Sequence, residues 1–431
     1  MTRPNSPVQI PPALVATVAD SVRQTRLRNG LTIIHQSLPT TPAVVVDVWV
    51  RAGARAEPDD WYGMAHFLEH MVFKGSATIA PGEFDELIEH RGGMTNAATS
   101  HDYAHFFIAV AAEHLPTVLP AFADILLNAA IPDHEFERER AVVIEEIYGC
   151  QDDPDWLGFQ ALSETVYAAS PYGRSILGTE QQVRQRSPHQ MRCFHRTHYQ
   201  PENMTVAIVG DLDFERAIAL VSEAFCTFPV RSECPPTTIQ AIPTLETIKR
   251  TTLRLPRLEQ ARLTLAWTAP GIDPLDPAIA LDILAVVLGG GRSSRLVQQL
   301  REDQQWVWDI SCEFSLQQDS SLFTVNAWLE TEQLERVEAA IVAQLRQVQR
   351  EGIAPEELSR TQRLLTNEYA FSTETPGQLA SLYGYYQTIA EAALATEYPQ
   401  RIQAITLEQV QAVAQTYITP DCYVVTTLIP A

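Results

Sequence analysis

The chain has 431 residues, enough for two domains or more, with 45% hydrophobic residues, 19% charged residues and a formal net charge of −22. This composition supports buried cores and excludes a disordered chain, a collagen-like chain and a small disulfide scaffold. The excess of 53 acidic over 31 basic residues is spread over both halves and argues against nucleic acid or an anionic membrane as the main partner, since both need a basic face. Cys150, Cys193, Cys226, Cys234, Cys312 and Cys422 are scattered with no C-x-x-C pair and read as reduced thiols. The N-terminus, with Arg3, several prolines and the short apolar run Ala13 to Ala19, makes a poor signal peptide. No uncharged apolar stretch of about 18 residues occurs, so no membrane span is expected and the expected location is cytoplasmic.

In chain order, β-branched runs predict strands within Thr32 to Val50, notably Val44 to Val50. Helical periodicity follows at about 62–73, 81–91, 114–129 and 133–149, and strand signals return at Ala104 to Ala111 and Met204 to Val209. Strands grouped around runs of helices predict an α+β fold, a mostly antiparallel sheet with helices packed on one face. Near residues 229–243, Pro229, Pro235, Pro236 and Pro243 punctuate a polar stretch with no clear period, which reads as a linker at about 231–244. It divides the chain into domains at 1–230 and 245–431.

The two parts read as copies. The segment from His198 into the apolar run Met204 to Val209 resembles the segment from Thr416 into Val424 and Val425. The segment Glu135 to Glu146 resembles Glu357 to Glu368, 222 residues later, and both run on to a proline, Pro154 and Pro376. A period this long indicates two homologous domains, not a solenoid.

The segment that carries chemistry is His66-Phe-Leu-Glu69-His70. On a helix, His66 and His70 share a face and Glu69 lies on the same side. Two imidazoles at that spacing can bind one Zn²⁺ beside a carboxylate that serves a water molecule, and H-x-x-E-H is the inverse of the H-E-x-x-H order of other zinc peptidases. Taken alone, the pattern also fits two histidines and a surface glutamate with no metal. A catalytic zinc needs a third protein ligand and one open position. The helix predicted at 133–149, with Asp133 as its N-cap, offers one. Glu139 and Glu146 are seven residues apart and point the same way, whereas Glu145 points elsewhere. Glu146 can reach the metal with Glu139 behind it. Glu135, Glu137 and Glu145 read as a solvated acidic face.

These two motifs, with Arg91-Gly-Gly-Met-Thr-Asn96-Ala97-Ala-Thr99 between them, resemble the pitrilysin or insulinase family of zinc peptidases, nearest to its mitochondrial processing peptidase branch. The resemblance covers nearly the whole chain. It implies one zinc per chain held by His66, His70 and Glu146, Glu69 as general base, and Glu139 supporting the ligands. It implies that Asn96 and Ala97, with Thr99, bind an extended peptide as an added strand, a mode that suits any sequence. His101 and His105 read as structural.

The second part departs from the pattern. At the same offset, Leu288, Gly291 and Arg292 stand where His66, Glu69 and His70 would be, and only Glu368 matches Glu146. The glycine-rich run Leu288 to Arg295 lacks GK[ST] and is not a phosphate loop. Arg301 matches a family arginine that reaches the substrate carbonyl, but Trp308 replaces the tyrosine seven residues on, and an indole is not a phenol. The expectation is therefore a dimer closing around a chamber, either a heterodimer whose homologous partner subunit supplies the intact pair or a homodimer. The main reading is a zinc metalloendopeptidase for unfolded or extended peptides, basic ones favoured if the acidic charge faces the chamber. The alternative is a non-catalytic structural or assembly subunit.

Overall fold

The computed structural model describes residues 22–168, 170–238, 242 and 244–431; the run Ala13 to Ala19 lies outside them. Two sheets organise the chain. The first, in the order β1-β2-β6-β3-β5-β4, is built from β1 Val22–Arg26, β2 Thr32–Ser37, β3 Ala43–Val50, β4 Met94–Thr99, β5 Ala104–Ala111 and β6 Met204–Gly210. The second, in the order β7-β11-β8-β10-β9, is built from β7 Lys249–Leu255, β8 Ala261–Pro270, β9 Val307–Ser315, β10 Ser320–Leu329 and β11 Val424–Pro430. Setting β1 aside, the two orders correspond strand for strand. The parallel pair β2/β6 is answered by the parallel pair β7/β11, and the remaining pairs are antiparallel in both sheets. The segments that look alike in the sequence, those leading into β6 and β11, occupy equivalent places. Each sheet is mixed because the last strand of each half docks alongside its first, a pairing too distant in sequence for a local pattern to show.

Strand chemistry explains the layers. Along β3, Val44, Val46, Val48 and Val50 face one side and join a core with Phe67, Phe106, Phe122 and Phe136, while Val45 faces the other. Every residue of β6 is buried, as expected of a strand covered on both faces. The expected helices are present as Met64–Val72, Glu83–Glu89, Leu115–Leu127 and Asp133–Gln151, all within the first half. Pro132, not Asp133, occupies the N-cap position of the last of these. Asp133 begins the helix and binds Arg192, since a fixed proline φ preceding it already sets the turn. Glu135, expected in solvent, is buried and accepts from Arg138 at 2.9 Å.

The faces away from these helices are covered by exchange. Helix Pro154–Tyr167 of the first half packs on β7, β8 and β11 of the second sheet, through Leu162, Val166 and Tyr167. Helix Pro376–Ile389 of the second half packs on β3 and β6 of the first sheet, through Leu379, Ala380 and Tyr383. Each large side chain buried this way contributes about 1.5–3 kcal/mol. Gly384 lets the second of these helices lie flat, because a Cβ there would stand 2.1 Å from Trp49 Nε1. Among the described residues, none between 225 and 248 is in a helix or strand. No helix among them is long and apolar enough to cross a membrane.

Candidate metal centre

Helix Met64–Val72 begins at Gly63, whose φ is +79° and whose Cβ, if it had one, would stand 2.4 Å from the Leu177 carbonyl oxygen. Only glycine tolerates both demands. Met64, Phe67, Leu68, Met71 and Val72 are buried and turn one side of the helix into the core. That packing leaves Glu69 and His70 half-buried on the other side, with His66 between the two, mostly covered.

Helix Asp133–Gln151 lies alongside and completes the group. His66 Nε2 is 3.5 Å from one Glu146 carboxylate oxygen and His70 Nε2 is 3.4 Å from the other. The three donor atoms lie within 4.8 Å of one another, and no other cluster of this kind occurs among the described residues. Two imidazole nitrogens and a carboxylate oxygen are a donor set that zinc accepts, and the exposed Glu146 leaves a side open for a further ligand. The residues fit the metal that the motif implies.

What stands behind the donors differs between the histidines. His70 Nδ1 meets Glu139 at 2.9 Å, and the other Glu139 oxygen accepts from Lys74 at 2.7 Å. The seven-residue spacing thus brings both glutamates to one imidazole, one at each nitrogen. Burial alone would pull His70 down, but its bonds to Glu139 and Glu146 outweigh it and push the imidazole up to about 9. Burial would raise Glu139, yet His70 and Lys74 hold it below the usual carboxylate range. The bonds from His66 and then His70 hold Glu146 far below it. His66 Nδ1, by contrast, is buried with no hydrogen-bond partner among the described residues. Lys74 is one of only two lysines in the chain. Its place four residues after His70 was a legible signal of a shared face.

The other singled-out residues fall into two groups. Thr99 Oγ1 donates to Glu69 at 2.5 Å, so this residue, expected to touch peptide, is engaged with the glutamate of the motif. Asn96 and Ala97 lie on β4, the last strand of its sheet, and Ala97 N–H donates to Asn96 Oδ1 at 2.9 Å. His101 Nε2 meets the Arg174 carbonyl at 3.0 Å and His105 Nδ1 meets Asp47 at 3.0 Å, structural contacts both. In the second half, Arg301 sits in a π-type turn, Val297–Asp303, and is paired with Glu302 and Asp309. Trp308 is 62% exposed on β9, one of the two edge strands of the second sheet. The glycine run serves packing: a Cβ on Gly289 would stand 2.3 Å from the Cys312 nitrogen.

The sequence alone gave no sign of Glu57. Its side chain is fully buried, Oε2 accepts from Gly63 N–H at 3.0 Å and Oε1 from Ala65 N–H at 2.7 Å.

Comparison with known proteins gives the family. Residues 32–180 match the family described as insulinase, peptidase family M16, and residues 187–365 match the peptidase M16 inactive domain. A curated relative from Mycobacterium tuberculosis, an uncharacterized zinc protease, is 30% identical over 394 residues, covering 91% of this chain and 90% of its own. The chain belongs to the M16 peptidase family. The uncharacterized zinc protease YmxG of Bacillus subtilis is 28% identical over 401 residues, 93% of this chain and 96% of that one. Among solved structures, a protease from Helicobacter pylori matches with a TM-score of 0.88 at 25% identity, covering 95% of this chain and 99% of that one.

Proposed function

We propose that this M16 chain is a zinc-dependent endopeptidase acting on extended peptides. The observation that carries the reading is the convergence of His66 and His70, on a helix that also presents Glu69, with Glu146 of helix Asp133–Gln151, their donors within 4.8 Å of one another. His66, His70 and Glu146 hold one ion per chain, and Glu139 with Lys74 keeps the His70 ring turned so that Nε2 faces it. Zinc bound there supplies Lewis acidity and lowers the pKa of water to about 7. Glu69 takes the proton from the attacking water and later returns it to the leaving amine. The Thr99 hydroxyl orients one Glu69 oxygen and leaves the other to serve as base.

The edge of β4 receives the peptide. A terminal strand offers main-chain donors and acceptors to any extended chain, whatever its sequence. Asn96 gives up its bond to Ala97 N–H when a substrate carbonyl takes that donor. Arg301 and Trp308 contact substrate from the second half. Because Trp308 offers only an indole N–H where an oxyanion donor is wanted, a homologous partner subunit in a heterodimer completes the site, whereas a homodimer would enclose the chamber and bring only a second Trp308.

Glu69→Gln tests the reading. The variant should keep its zinc and lose cleavage by about 10²–10⁴-fold. Cleavage surviving the change would end Glu69's role as base. Zinc absent from the wild-type chain would favour the non-catalytic assembly subunit. Assaying the chain with and without a homologous partner tests completion of the site, and full activity of the lone chain would refute it.

A further inference from the structure

His66 and His70 are oriented by different means. His70 is held from behind by Glu139, which is itself held by Lys74. His66 has no such support, since its Nδ1 has no partner among the described residues. Its direction is therefore set by the backbone that carries it, the first turn of helix Met64–Val72.

That turn starts without a cap of its own. Gly63 has no side chain to satisfy the first N–H groups, which normally need an acceptor. The acceptor comes from outside the helix: the Glu57 carboxylate takes the N–H of Gly63 at 3.0 Å and of Ala65 at 2.7 Å. Burial pushes the Glu57 carboxyl up to about 8 against the pull of these backbone bonds, so its two oxygens act here as acceptors and not as a fixed charge. Ala65 directly precedes His66, so the bond is made one residue from a donor to the metal. Glu57 is 0% exposed. Its own backbone is pinned by the linker, because Thr237 Oγ1 donates to the carbonyls of Ala56 and Glu57, at 3.0 Å each. The nearby Arg174 is occupied by Asp59 at 2.7 Å and by the face of Tyr62.

We propose that Glu57 is a positioning residue: it fixes the first turn of the ligand helix, sets the direction of His66, and ties that turn to the segment joining the two halves. The proposal rests on the zinc reading above. It makes Glu57 the counterpart, for His66, of what Glu139 is for His70, with the support acting through the backbone and not through the ring.

The test compares wild type, Glu57→Gln, Glu57→Ala and, as a structural lesion elsewhere, Tyr383→Phe, which removes a hydroxyl bonded to Gln36 at 2.6 Å. Glu57→Gln keeps size and one acceptor oxygen but turns an NH₂ group toward a backbone donor. It should raise the zinc dissociation constant, read by competition with a chromophoric chelator, by about 10–100-fold, the usual cost of losing a support behind a ligand. It should also alter the visible spectrum of the Co²⁺-substituted protein. Tyr383→Phe should lower the melting temperature and leave both readouts unmoved. A Glu57→Gln dissociation constant within twofold of wild type overturns the proposal. Glu57→Gln decides the matter if Glu57→Ala fails to fold. Should the wild-type chain bind no zinc, the metal reading fails on its own. Glu57's hold on the turn is then read by amide exchange at Gly63 and Ala65: faster exchange in Glu57→Gln supports it, unchanged exchange overturns it.

Discussion

The two halves share a sheet order and differ in what their equivalent helices carry. In the first, helix Met64–Val72 is short, starts on a glycine, is capped from outside and leaves His66, Glu69 and His70 on a half-open side. In the second, helix Leu275–Gly289 is apolar nearly throughout and carries no histidine. Glu146 meets two imidazoles, whereas its counterpart Glu368 lines a cavity of about 310 Å³ with Asp282, Tyr369 and Tyr398. All 11 histidines of the chain precede residue 200. The difference teaches that the fold does not need the metal. A helix freed of ligands buries most of its surface, while a helix that holds them keeps a polar side, a special start and two supporting acids.

That contrast can be probed step by step. Glu139→Gln should weaken zinc binding by about 10–100-fold while leaving the secondary structure intact, because it removes the acid behind His70 and nothing from the core. Unchanged affinity would mean that His70 needs no support. The exchanged helices give the next comparison. Gly384→Ala should destabilise the chain by about 1–3 kcal/mol in urea unfolding, since Trp49 cannot yield. Gly158→Ala, in the reciprocal helix, meets only the tip of Leu428 at 3.0 Å and should have the smaller effect. Equal effects would show that the two helices are not held differently. The smallest effect expected is on pH. Burial pushes His195 down to about 4 in the fold, from about 6.5 when unfolded. Its contribution is therefore present above about 6.5 and lost as pH falls through about 4, because the unfolded chain takes the proton first. The second half has no histidine, so mild acid should lower amide protection factors, corrected for the pH dependence of intrinsic exchange, more in the first half than in the second; a uniform loss of protection would contradict this.

Much of this was legible in the sequence, for physical reasons that differ by element. The H-x-x-E-H spacing and the seven-residue step from Glu139 to Glu146 are helix geometry, and helix geometry is local. The strand Ala104–Ala111 and the helix starting at Asp133 follow from periodicity in the same way. The 222-residue correspondence matched Pro154 to Pro376, and in the structure both begin helices, but no period tells which sheet a helix covers, so the exchange stayed hidden. Glu57 was hidden for another reason. Its partners are backbone N–H groups six and eight residues on, brought to it by a loop with no repeat. Thr99 was read as a peptide contact because its stretch resembles the family's substrate-binding strand; its bond to Glu69 depends on how that strand meets the ligand helix.

The central claim is that one zinc, held in the first half alone, is what makes the chain a peptidase. Titrating zinc into chelator-stripped protein, with its homologous partner where one is needed, while following both bound metal and cleavage of an extended peptide, tests it most directly. The account predicts that cleavage appears with the first equivalent, saturates at one zinc per chain, and that His70→Ala removes both. Cleavage by the stripped protein, or tight zinc binding that survives His70→Ala, would contradict it.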